Sequence, residues 1–212
     1  MKVINIDAKE KTRRHFNETA DDYVNSSDGQ FVQPMYRSLI QELENIRSGR
    51  LLDIGCGNGD FFGLIKDMGM ELYGIDLAEN MIRAAQRKYG DIASILQSDA
   101  ENLPFQAGMF DVIICNASFH HYTNPQAVLT QMRRVLKDNG VLLIGDPWMP
   151  QPFRVFMNFF TRFSDSGDYH YYGKREMESL MDKCGLKLIN WKRTGKHTIL
   201  FKAVPIPHNS NK

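Results

Sequence analysis

An apolar run, Leu51-Leu52-Asp53-Ile54, leads into Gly55-Cys56-Gly57-Asn58-Gly59, and seventeen residues past Gly59 another apolar run ends in Asp76. Glycines allow a tight turn and let a ligand lie against the backbone. A carboxylate at the end of the following strand can accept hydrogen bonds from both ribose hydroxyls of an adenosine. The dinucleotide fingerprint G-x-G-x-x-G needs a third glycine where Asp60 stands, and an acid is unfavourable where a pyrophosphate would meet a helix N-terminus. No G-x-x-x-x-G-K-[ST] loop occurs. The loop therefore suits a nucleoside cofactor without phosphate, and a nucleotide-dependent oxidoreductase is disfavoured. Further along, His120, His121 and Tyr122 follow the apolar run Phe110–Cys115. A histidine there titrates near working pH and is a candidate general base, or else a hydrogen-bond partner of backbone or cofactor. His170 stands among Tyr169, Tyr171 and Tyr172. Those rings could hold an aromatic or cationic acceptor or form a small core of their own.

Positioning these residues requires a sheet. Short apolar runs at 51–54, 71–75, 93–97, 110–115 and 141–144 alternate with helical patterns at 60–68, 79–89 and from Asn124-Pro125 to Asn139-Gly140. In the last helix Asn124 reads as N-cap, with Pro125 in the first turn. In the second, Met81, Ala85 and Tyr89 share a face. Strands alternating with helices imply a doubly wound α/β fold, with a mostly parallel sheet covered on both faces. Residues 9–25 and 33–47 read as two helices of an N-terminal cap. The expected organisation is one domain: a helical cap over 1–48, a cofactor-binding core over 49–146, an aromatic insertion or lid over 147–172, and a C-terminal helix and β-hairpin over 173–204, the hairpin signalled by Thr194-Gly195-Lys196. The insertion carries Trp148, Phe153, Phe156, Phe159, Phe160 and Phe163 as well as the tyrosines. A polar tail, His208–Lys212, ends the chain.

The 212 residues suffice for one domain with a sizeable core. At 42% hydrophobic and 24% charged the composition is that of an ordinary globular chain. No apolar run approaches the ~20 residues of a membrane span, and the charged N-terminus lacks a signal-peptide apolar region. Three cysteines without metal-type spacing point to reduced thiols, a cytoplasmic setting and no metal. The net charge of +1 gives no general attraction to nucleic acid. Residues 174–212 hold nine Lys/Arg against three Asp/Glu, +6, leaving −5 for the rest. This reads as a solvated face with lysines guarding edge strands, the other reading being a patch for acidic partners.

Leu51–Gly59 closely resembles the first motif of class I S-adenosylmethionine-dependent methyltransferases. Tyr73-Gly74-Ile75-Asp76-Leu77 resembles the second, Ser98-Asp99-Ala100-Glu101-Asn102-Leu103-Pro104-Phe105 the third, Phe110–Asn116 the fourth, and Val135–Leu142 the segment into the fifth strand. Phe16-Asn17-Glu18-Thr19-Ala20-Asp21-Asp22-Tyr23 is similar to the entry of small-molecule methyltransferases of the quinone-biosynthesis type. The resemblance implies a Rossmann-like seven-stranded sheet with a C-terminal antiparallel hairpin strand, and S-adenosyl-L-methionine as cofactor. It implies that Gly55, Cys56, Gly57 and Gly59 form the loop facing the methionine part, and that Asp53 orders the loop or reaches the cofactor's ammonium. Asp76 would bind the ribose, and Leu77 and Met81 would lie against the adenine. Asp99 would accept from the adenine amino group beside Ala100 and Glu101, Asn116 would sit near the amino-acid end, and Tyr23 would close over the cofactor. Cys56 reads as a small buried filler, not a nucleophile. Ala78 departs from the family, which usually has Ser or Thr there; losing that cap should weaken the following helix by about 1 kcal/mol.

Methyl transfer from a sulfonium is an in-line displacement that rests on alignment. Asn116-Ala117-Ser118-Phe119 is unlike the N/D-P-P-Y motif used on nucleobase amino groups, and no Pro-Cys pair for cytosine C5 chemistry occurs. The expected acceptor is a small organic molecule, with no membrane and no nucleic-acid partner; a homodimer is left open. RNA or protein methylation through the basic C-terminal region, and a non-catalytic cofactor-binding regulator, are the alternatives.

Overall fold

The computed structural model describes residues 2–46, 48–161 and 167–207; Phe163 and the tail 208–212 lie outside them. Helix α1 (Lys2–Thr19) passes through a 3-10 segment (Ala20–Asn25) into α2 (Ser27–Leu43). There follow β1 (Gly49–Ile54), α3 (Asp60–Ile65), β2 (Met70–Asp76), α4 (Glu79–Tyr89), β3 (Ala93–Gln97) and β4 (Phe110–Asn116). After β4 come a 3-10 turn (Phe119–His121), α5 (Pro125–Val135), β5 (Leu136–Pro147), α6 (Phe153–Phe160), α7 (Lys174–Lys183), β6 (Leu186–Arg193) and β7 (Thr198–Pro205).

The seven strands lie in the order β3-β2-β1-β4-β5-β7-β6. β1 to β5 run parallel, and β7 inserts antiparallel to both β5 and β6. The central strands are buried on both faces, which their near-continuous Leu, Ile and Val content requires. On one face Val128, Leu129 and Met132 of α5 and Met177 and Met181 of α7 join Leu52, Ile113 and Phe201 in a core. On the other, Leu39 and Leu43 of α2, Phe61 and Phe62 of α3, and Ile82 and Ala85 of α4 pack on Leu51, Val112 and Leu143. The strand order reverses between β1 and β4, so a crevice opens at the carboxyl ends of these two strands, the place where open α/β sheets bind ligands.

Two local outcomes differ from the pattern reading. The fifth helix stops at Val135, and β5 begins at once with Leu136 paired to Phe110 before an irregularity brings Val112 opposite Val141. Burial of Leu136 satisfies a strand here as well as a helix. The second helix starts at Ser27, not 33, because the Ser26 side chain accepts from the Gly29 N–H at 3.1 Å and the helix continues through Pro34. Asn124 does cap α5, accepting from the Ala127 N–H at 3.2 Å. In the 147–172 segment Tyr171 and Tyr172 are buried. By contrast α6 keeps Phe153, Val155, Phe156, Phe159 and Phe160 exposed.

Candidate active site

The loop after β1 turns on left-handed backbone at Gly55, where φ is +77°, and a Cβ added there would lie 2.1 Å from the Ser118 Oγ. Only glycine allows this approach of the β1 and β4 exits. Gly59 (φ +78°) starts α3 and rests on Phe62, Ala85 and Tyr89. The Asp76 carboxylate straddles the two βα turns, accepting from the Gly57 N–H at 2.9 Å and the Ala78 N–H at 2.8 Å. Its burial pushes its pKa up, against the pull of these backbone donors.

A cavity of about 750 Å³, counted with its mouth and the open solvent there, runs from here along the carboxyl edge of the sheet. Gly55, Gly57, Asp76 and Leu77 line one wall, and Asp99, Ala100 and Glu101 the end beside β3. Asn116, Ser118, His121 and Tyr122 line the side beside β4. Lys9, Thr12 and Phe16 of α1, with Tyr23, cover it. Among the described residues none from 147–172 lines it, and α1 is an element that covers the cavity.

Asp53 and Cys56 line a small adjoining recess shared with Gly55, Gly57, Tyr23 and Asn116. Asp53 Oδ1 and Asn116 Oδ1 are both buried without a hydrogen-bond partner. An orphaned buried acceptor is costly, and two in one recess form a socket for a donor. Burial, and then the charge of Asp76, raise the Asp53 pKa to about 7. Beside them Ala117 holds φ at +50°, strain of the sort that collects at functional sites; its N–H donates to the Gly145 carbonyl at 2.7 Å. The Cys56 thiol is buried and its pKa pushed up by that burial, which makes it inert.

Two expected contacts lie elsewhere. Met81 is fully buried with Ala20 and Ala78 beneath Phe16 and Tyr23, and neither it nor Gly59 reaches the cavity wall. Met81 supports the cap instead, because its position on α4 faces α1 and not the crevice.

The three residues after β4 separate in space. His121 and Tyr122 face the cavity, whereas His120 lies behind it with Nδ1 2.8 Å from Asp146 Oδ1 and Nε2 3.4 Å from Asp168 Oδ1. The carboxylates outweigh burial and raise the His120 pKa to about 9. Burial first, and then the neighbouring His120, lower that of His121 to about 3, so its ring is neutral. The Tyr122 hydroxyl is 2.9 Å from Ser118 Oγ, and burial drives its pKa well up, so it serves as a hydrogen-bonding group and not a base. His170 is tied to Glu176 at 2.6 Å, away from the cavity.

Pattern reading missed Lys9 and Asn17. Lys9 bonds Asp99 and Glu101, the latter at 3.1 Å. Asn17 Oδ1 accepts the Asn80 N–H at 2.9 Å, and the Asn80 side-chain amide donates back to the Asn17 carbonyl at 3.0 Å. The cap that Ala78 cannot supply to α4 therefore comes from the N-terminal helix. A polar residue opposite an uncapped helix start was the available signal, but nothing local in the sequence joins positions 17 and 80.

The methyltransferase domain family matches residues 52–144. An uncharacterised methyltransferase of Bacillus subtilis, YcgJ, is 30% identical over 60% of this chain and 53% of its own length. The demethylmenaquinone methyltransferase of Staphylococcus saprophyticus is 29% identical over 58% of each. The chain thus spans little more than half the length of these relatives. The solved YcgJ structure superposes with a TM-score of 0.72 at 19% identity, covering 82% of this chain and 98% of that one. Magnesium protoporphyrin IX methyltransferase from Synechocystis, solved with bound SAH, gives 0.72 at 19% identity over 91% and 97%. Residues 52–144 thus match the methyltransferase domain, and the chain shares the Rossmann-like fold of these methyltransferase structures.

Proposed function

We propose that this protein transfers a methyl group from S-adenosylmethionine to a small organic acceptor. The observation that carries the reading is the pair of orphaned buried acceptors, Asp53 Oδ1 and Asn116 Oδ1, in the recess that adjoins a cavity lined by Asp76 and Asp99. The cofactor brings an activated methyl on its sulfonium. Asp53 and Asn116 take its ammonium end, Asp76 its ribose hydroxyls, and Asp99 with the Ala100 backbone its adenine. Tyr23 and Phe16 exclude water from above. His121, neutral, and Tyr122, held by Ser118, form the wall at which the acceptor aligns, and alignment is what such a displacement chiefly needs.

The small acceptor is favoured by relatives named for demethylmenaquinone and for ubiquinone/menaquinone biosynthesis. Part of the C-terminal basic charge is spent internally, since Lys192 and Lys202 both bond Glu42, at 2.8 and 2.9 Å. Calorimetric titration with S-adenosylmethionine, followed by a screen of metabolite extracts for transfer of labelled methyl, tests the reading. Micromolar binding is expected. Asp76→Ala should weaken it on the order of 100-fold, since it deletes two hydrogen bonds to a charged group. Equal affinity in that variant, or no labelled product in any extract, would overturn the reading.

A further inference from the structure

Behind the cavity wall His120, His121 and Asp168 bring three metal-ligating atoms within 4.8 Å of one another. Asp168 Oδ1 is 3.4 Å from His120 Nε2 and 3.7 Å from His121 Nδ1. Ligands at about 2.0–2.1 Å from a tetrahedral zinc stand roughly 3.3 Å apart, so small side-chain shifts would seat an ion. Both rings are buried, and His121 Nδ1 has no hydrogen-bond partner. Asp146 holds the far nitrogen of His120 at 2.8 Å. A carboxylate behind a ligating imidazole fixes its tautomer and directs the other nitrogen outward, the usual support of histidine ligands in metal sites. One oxygen of Asp146 is itself buried without a hydrogen-bond partner.

We infer that His120 Nε2, His121 Nδ1 and Asp168 form a site for one divalent transition-metal ion of the zinc and cobalt class, positioned by Asp146. Two imidazoles and a carboxylate are the donor set that such borderline cations prefer over magnesium or calcium. Three protein ligands leave coordination open for solvent or an acceptor heteroatom. His121 also belongs to the cavity wall, which ties the site to the acceptor side of the cavity. The cysteine spacing gave no hint of this site, because its ligands come from the turn after β4 and from position 168.

The inference is independent of methyl transfer and is read without cofactor. The full chain, stripped with a chelator, is titrated with Co²⁺ alone while its visible absorption and binding heat are followed. One equivalent should bind, with the absorption of a four- or five-coordinate ion, and Zn²⁺ should displace it. Asp168→Asn should weaken binding at least tenfold, and Asp146→Asn, which touches no metal, by 10–100-fold. If a variant loses its circular dichroism, His121→Phe, which keeps the apolar contact with Phe16, replaces it. Substoichiometric binding by the wild type, or equal affinity in folded Asp168→Asn and His121→Phe, would overturn the inference. In that case the cluster is an imidazolium held between two carboxylates, seen by NMR as His120 titrating near 9.

Discussion

The two sides of the cavity are built by different means. The side that the proposed function gives to the cofactor is backbone turned by glycine, with acids at or just past the ends of β2 and β3 that hold main-chain N–H groups: Gly57 and Ala78 on Asp76, Glu101 on Asp99. The side beside β4 is made of side chains from the end of β4 and the turn after it, Asn116, Ser118, His121 and Tyr122, backed by His120, which pairs with both Asp146 and Asp168. The first depends on short-range order and needs only a few residue types. The second depends on long-range packing, so its chemistry changes with each residue brought to it.

The strongest way to break the division is at a place where the two sides touch. Gly55→Ala puts a Cβ 2.1 Å from Ser118 Oγ and 2.6 Å from Ser118 Cβ, on a left-handed residue. Cofactor affinity should fall roughly 30-fold and the melting temperature should drop, because steric overlap adds to a backbone cost of about 1–2 kcal/mol. Gly55→Ala with Ser118→Gly should recover the steric share and leave only the backbone share, a coupling that a double-mutant cycle measures. Additive effects would mean that the two sides do not meet through Ser118.

Asp53 sharpens the comparison from the other direction, since it carries a conflict between binding and stability. Its folded pKa is raised from 3.8 to about 7, so the stability tied to its proton is complete below 3.8 and lost as pH rises through 7. Above pH 7 the ionised group is a burden in the free protein. Asp53→Asn should therefore raise the melting temperature by several degrees at pH 8 and by little at pH 4, while cofactor affinity falls about tenfold. Wild-type affinity should weaken as pH falls below 7, because binding an ammonium needs the carboxylate, whereas the variant's affinity should stay flat. A variant less stable than wild type at pH 8 would show that Asp53 holds the loop and not the ligand.

Much of the cofactor side is legible in the sequence because its residues act on near neighbours. The Gly55–Gly59 turn, Asp76 two residues before the α4 cap, and Asn124 at the start of α5 each express a local rule. Met81 escaped correct placement because helical spacing gives a face but not which neighbour it meets. The order of burial between His120 and His121 is illegible for the same reason: adjacent residues on a 3-10 turn point to different partners, and Asp146 and Asp168 are 26 and 48 positions from His120. The covering of the cavity by α1 depends on Lys9 finding Asp99 across 90 residues.

The smallest expected effect concerns that closure. Ala78 cannot cap α4, yet Asn17 satisfies the Asn80 N–H from outside the helix, so the cap bond also holds α1 over the cavity. In Asn17→Ala both consequences appear together: about 1 kcal/mol of helix stabilisation is lost, worth roughly 2–4 °C in melting temperature at this size, and cofactor dissociation quickens several-fold. Asn17→Asp retains the acceptor and should retain most of both. Restoring a local cap with Ala78→Ser in the Asn17→Ala background separates the two roles, because a serine at position 78 can satisfy the helix N–H but cannot tether α1. Melting temperature should then return while fast dissociation persists. Recovery of both together would mean that Asn17 acts on the helix alone and that Lys9, Phe16 and Tyr23 hold the cap without it.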